Sequence, residues 1–113
     1  MIYNQASGSV TFYGLYSGRG AGLNNPQMEM VSCVGPIPRG WYSIEGPFND
    51  PHLGAVVFRL IPDPANEMHG RAGFDLHGDN AEMDHSASEG CIVAPLPLRQ
   101  AIAASSDRRL QVI

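Results

Sequence analysis

Residues 76–93, LHGDNAEMDHSASEGCIV, gather two histidines, two serines, a cysteine and several carboxylates into one short run. A thiol with an ordinary pKa of about 8.5 is only a few per cent thiolate at neutral pH, so a cysteine nucleophile needs a base beside it. His77 is the candidate base, standing 14 residues before Cys91, a separation closed by a turn between a strand end and a second strand. Gly90 directly precedes Cys91 and lets the backbone aim the amides of both residues at one point, where an oxyanion can be held. Gly78 lets the chain turn after His77 and offers a carbonyl to orient the imidazole. Such a set supports attack by a thiolate through a tetrahedral intermediate. A single buried cysteine equally well fills a core, but a His-Gly pair followed by S-x-G-C-I is far more restrictive.

Other polar residues carry alternative readings. Asp79 can tune His77 or simply form a turn. His85 is a rival base, nearer Cys91 in sequence but set in an exposed-looking stretch. Arg71 can hold a substrate carboxylate through a bidentate contact or pair with a surface acid. Trp41 and Tyr42 offer a binding platform, with core packing the plainer expectation. His52 and His69 read as surface or structural, and Cys33 as an inert buried thiol. A Cys33–Cys91 bridge remains open in an oxidising compartment and would cap the nucleophile. His69, His77, Asp79, His85 and Cys91 suffice in number for a zinc hydrolase, yet no pair has H-x-x-x-H or C-x-x-C spacing. No metal or cofactor is therefore expected. A non-catalytic binding or inhibitor module that keeps the fold is the remaining rival.

The elements that must position these residues are mostly extended. Thirteen glycines and nine prolines punctuate the chain into short segments. Ser9–Gly14 alternates as a strand. In Gly40–Gly46, Trp41, Ser43 and Glu45 share one face and Tyr42 and Ile44 the other. Ala55–Pro62 is the most apolar run and suits a central strand. Gly73–Gly78 alternates Phe74 and Leu76 against Asp75 and His77, which puts His77 on the opposite face at the strand end. One helix is expected after Ala94, with Pro97 at its first position and Leu98, Ala101 and Ile102 on its apolar face, before a closing strand in RLQVI. The stretches 17–30 and 61–73 read as long loops able to line a site.

At 113 residues and 43% hydrophobic content the chain reads as a single domain spanning 1–113. Seven scattered basic residues against eleven acidic ones argue against nucleic-acid binding. No apolar run approaches the roughly 20 residues that span a bilayer, and the N-terminus lacks the pattern of a secretory signal. Work outside the cytoplasm would need another export route.

The residues LHGD followed by SEGCI resemble the signature of L,D-transpeptidase catalytic domains. The likeness is closer to the small L,D-transpeptidase-like toxins of type VI secretion systems, whose landmarks resemble GPIPRGWY (35–42), NNP (24–26), PDPANEM (62–68) and LHGDN…SASEGCIV in the same order. The resemblance runs from about Tyr13 to the C-terminus. It implies a mainly β, L,D-transpeptidase-like sandwich or open barrel with one short helix near the C-terminus. It also implies a peptidoglycan stem peptide as substrate. Cys91 would attack the carbonyl on the L-centre of the diamino acid and expel the terminal D-alanine. Water, a D-amino acid or a second stem would then resolve the thioester. Carried over, Cys91 is the nucleophile, His77 the base, Gly78 the orienting carbonyl, Gly90 an oxyanion amide and Ser88 a loop-fixing serine. Glu89 and Val93 depart from the broader family, which commonly has cationic residues there. The resemblance further implies a secretion-system partner, a cognate immunity protein and action in the periplasm of a target bacterium.

Overall fold

The structure, a computed structural model, describes residues 1–10, 13–78 and 90–113, with Tyr13 described by its backbone alone. Nine strands and one α-helix lie among these: β1 (Ile2–Tyr3), β2 (Ser9–Val10), β3 (Tyr13–Gly14), β4 (Tyr16–Ser17), β5 (Gly40–Asp50), β6 (Gly54–Pro62), β7 (Phe74–His77), β8 (Ile92–Val93), α1 (Leu96–Ala104) and β9 (Arg109–Val112). Seven strands form one sheet in the order β1, β9, β5, β6, β7, β8, β4, while β2 and β3 pair separately. The sheet curls into a half-barrel, so the fold is mainly β, as expected.

The long strands β5 and β6 form the centre because their apolar residues alternate in register. Tyr42 pairs with Pro62, Ile44 with Leu60 and Phe48 with Val57, with register shifts on either side of Phe48. Tyr42 and Ile44 are buried while Trp41 and Glu45 are exposed, the two faces that strict alternation dictates. Tyr42, Ile44, Phe58, Leu60, Leu76 and Ile92 fill one core. Helix α1 adds Leu98 and Ile102 to it, one turn apart on a single face, and packs on β6.

Three details differ from the sequence reading. Ser9–Gly14 is not one strand but two antiparallel arms, with Val10 opposite Tyr13. Helix α1 begins at Leu96, so Pro97 takes its second position, still within the turn whose amides need no partner, and Ala101 is exposed. The stretch 17–30 contains two single-turn 3-10 helices, Gly20–Gly22 and Pro26–Met28; the second is capped by Asn25, whose side chain accepts from the Gln27 amide at 3.1 Å. Among the described residues no helix is long and apolar enough to cross a membrane.

Candidate active site

Strands β7 and β8 run parallel, with Leu76 opposite Ile92 and His77 opposite Val93. Phe74, Leu76 and Ile92 face the core, which turns Asp75 and His77 to the other side. Cys91 stands just before β8, one register step upstream, and its Sγ accepts a hydrogen bond from the Asp75 amide at 3.4 Å. The pairing thus brings the His77 and Cys91 segments onto neighbouring strands, two strand steps apart.

The His77 ring is 2% exposed, with Nδ1 2.7 Å from the Gly78 carbonyl oxygen. Donation from Nδ1–H to that carbonyl assigns the tautomer and leaves the lone pair on Nε2, the form a general base requires. The His77 carbonyl accepts from the Ala94 amide at 2.8 Å, which ties the end of β7 to the residue after β8.

Gly90 has φ +126°, and a Cβ there would lie 2.3 Å from the Arg71 guanidinium and 3.0 Å from the Phe74 ring. Only glycine fits. Its carbonyl accepts from Ser17 Oγ at 2.9 Å, and the same hydroxyl accepts from the Ile37 amide at 2.8 Å. Ser17 is fully buried on β4, opposite Ile92, so one side chain pins the approach to Cys91 from β4 and from the 35–38 turn. No motif in the sequence marks Ser17 for this position.

Arg71 is buried, and its guanidinium donates to three main-chain carbonyls: Nη1 to Glu29 and Pro36, the latter at 2.8 Å, and Nη2 to Gly35 at 3.0 Å. It also lies 5.1 Å from the Phe74 ring centroid. Burial pushes its pKa down, opposed by Tyr42, Cys33, Cys91 and Glu29 around it. The loop that Arg71 gathers is anchored again by Glu29, whose carboxylate accepts from Gln5 Nε2 at 2.8 Å and from Arg39 Nη2 at 3.0 Å. Burial alone would raise the Glu29 pKa, but the Arg39 and Gln5 hydrogen bonds outweigh it and hold it at about 2. His69 stands between Glu29 and Glu67, at 3.6 and 3.8 Å.

Ser32, Cys33, Arg71, Gly73, Phe74 and Cys91 are among the walls of a cavity of about 350 Å³. Cys33 is therefore not the inert buried thiol expected: it is exposed on a turn at φ 63° and shares this cavity with Cys91, and neither cysteine is in a disulfide. Arg71 lines the cavity too, with three of its donors already engaged by carbonyls. Trp41 does not line it. Instead of packing in the core, Trp41 is 42% exposed on β5 beneath the Arg109 guanidinium, at 5.4 Å, while Tyr42 is buried. Asp79, His85, Ser88 and Glu89 lie outside the described residues. Val93 is buried in β8. Among the described residues no three His, Cys, Asp or Glu side chains come together to hold a metal ion.

The landmark segments act as clamps around this centre. Asn24 accepts from the Ser17 amide at 3.2 Å, and Asn66 brackets Trp41 by accepting from its amide at 3.1 Å and donating to its carbonyl at 2.8 Å. The Gly35 and Pro36 carbonyls receive Arg71.

No characterised protein and no solved structure shows significant similarity to the chain. A family model, the Tlde1 domain, matches residues 11–109, which takes in β3 to β8, the helix and the start of β9. The chain thus belongs to the Tlde1 domain family, L,D-transpeptidase-like effectors of type VI secretion that are associated with peptidoglycan.

Proposed function

We propose that the chain is a cysteine-dependent peptidoglycan-modifying enzyme in which residues 1–113 form one catalytic domain. The observation that supports the reading is the pairing of β7 with β8, which brings the Cys91 segment onto the strand neighbouring His77, two register steps away, with the His77 Nδ1 taken by the Gly78 carbonyl. In this reading His77 Nε2 takes the Cys91 thiol proton. The thiolate then attacks the carbonyl on the L-centre of the diamino acid in a tetrapeptide stem. The Gly90 and Cys91 amides stabilise the oxyanion, and Ser88 fixes the loop. Collapse breaks the amide bond, the imidazolium returns its proton to the departing D-alanine amine, and the stem remains as a thioester on Cys91. Water completes an L,D-carboxypeptidase cycle; a D-amino acid amine gives exchange and a second stem gives a cross-link. Asp79 is assigned to the substrate side, and Trp41, which lies outside the Cys91 cavity, to a platform beyond it. Arg71 works chiefly through the loop carbonyls that it holds and its close packing on Gly90. Export by a type VI system, action in the periplasm of a target bacterium, and a cognate immunity protein closing the cavity complete the proposal.

Digestion of tetrapeptide muropeptides, followed by mass spectrometry of the products, tests it. D-alanine should be released or exchanged by the wild-type protein and not by Cys91→Ala or His77→Ala. Unchanged muropeptides with wild-type protein under reducing conditions, with and without zinc, would overturn it; activity appearing only with zinc would move the reading to a metallohydrolase.

A further inference from the structure

A second cavity, of about 230 Å³, adjoins the site and is lined by Phe48, Asn49, Asp50, Val57, Arg59 and Asp75. Asp75 belongs to both places. Its amide donates to Cys91 Sγ, while its carboxylate lines this cavity on the face of β7 that His77 shares. Arg59 faces it across the β6–β7 ladder.

The charges here are underused. The Arg59 Nε is 3.9 Å from the Asp75 carboxylate, longer than a hydrogen bond, and its guanidinium lies 6.0 Å from the Phe48 ring centroid. Arg59 makes no closer polar contact with any described residue. Asp50 uses one oxygen to accept the His52 and Leu53 amides, at 2.8 and 2.9 Å, and has the other to offer. Burial raises the Asp75 pKa and the nearby Asp50 adds to the rise, against the lowering influence of Arg59 and His77. One fork of donors, two carboxylates and an apolar wall of Phe48 and Val57 thus line one space, with room for an amino-acid head and the methylenes that follow it.

We propose that this cavity binds a zwitterionic α-amino-acid head, its carboxylate on Arg59 and its ammonium on Asp75 and Asp50, with Phe48 and Val57 against the adjoining methylenes. The inference rests on the cysteine-enzyme reading for its occupant: the free ammonium and carboxylate at the far end of the diamino acid side chain of the acyl donor. The L-centre then lies at the other end of that side chain, to be directed past Asp75 toward Cys91, whose Sγ accepts from the Asp75 amide. A bidentate guanidinium–carboxylate contact gives selectivity that a lone ammonium cannot satisfy.

The test is calorimetric titration of Cys91→Ala protein, which cannot turn over, with a tetrapeptide carrying meso-diaminopimelate and with its lysine counterpart, which keeps the ammonium and lacks the carboxylate. The diaminopimelate peptide should bind about tenfold or more tightly than the lysine peptide. Arg59→Met should erase that difference, Arg59→Lys should restore part of it, and Asp75→Asn, which keeps the amide to Cys91, should weaken both peptides. Equal affinities for the two peptides, affinities indifferent to these substitutions, or no binding to Cys91→Ala protein would overturn the proposal. Mutation-sensitive binding of free D-alanine without that of the diaminopimelate peptide would also overturn it, since the pocket would then serve the acceptor. The two readings fail separately: the predicted binding pattern without D-alanine release breaks only the catalytic reading, and cleavage unaffected by Arg59→Met and Asp75→Asn breaks only this one.

Discussion

Arg71 and Arg59 each approach Cys91 through one neighbour, the first through Gly90 and the second through Asp75, and the fold treats them in opposite ways. Arg71 is 7% exposed and gives three donors to main-chain carbonyls. The Arg59 side chain is 62% exposed, with one loose ionic partner among the described residues, at 3.9 Å. A guanidinium with most of its donors on its own chain holds a loop in shape; one with open donors is available to a ligand. The arginine on the first side supports the wall of its cavity, and the proposal gives the one on the second side to a ligand.

Breaking the contrast begins with the largest effect. Arg71→Leu leaves the Glu29, Gly35 and Pro36 carbonyls without a donor and should cost about 3 kcal/mol or more, read by urea unfolding; Arg71→Lys, without the planar fork, should recover little. Glu29 comes next. Its folded pKa of about 2 lies below the ordinary glutamate value of 4.5, so its contribution is in place above pH 4.5 and is lost as pH falls toward 2. Glu29→Gln should lower stability at neutral pH by on the order of 2–3 kcal/mol and flatten the acid limb of a stability-against-pH curve. Ser17→Ala, which deprives the Gly90 carbonyl and the Ile37 amide of one shared partner, should cost about 1–2 kcal/mol. Arg59→Met sharpens the comparison from the other side, because an exposed and loosely paired arginine should change stability by no more than about 0.5 kcal/mol. A loss there matching that of Arg71→Leu would dissolve the contrast.

The parts of the molecule legible in the sequence were those with a local cause. Tyr42 and Ile44 alternate with Trp41 and Glu45, and the observed burial follows that alternation. Leu98 and Ile102 lie one helical turn apart, and both are buried. The His77-Gly78 and Gly90-Cys91 pairs were visible because turns and thiol chemistry demand those residue types close together. What stayed hidden depends on distant chain. Strands β1 and β4 are two residues long, too short for any periodicity, and exist because β9 and β8 present edges to them. Cys33 and Trp41 were expected inside on residue type, a tendency that a turn at positive φ and an outward strand position override. Arg59 and Asp75 look like ordinary outward residues of two strands, and only the β6–β7 register sets them face to face.

The central claim is that Cys91 carries the stem as a thioester. Acid-quenched intact-protein mass spectrometry during turnover of tetrapeptide muropeptides, followed by peptide mapping, tests it most directly. The account predicts an adduct equal in mass to the stem less its terminal D-alanine, located on Cys91, labile to hydroxylamine and absent in Cys91→Ala protein. D-alanine release that persists with Cys91 alkylated, and no adduct on that residue, would contradict it.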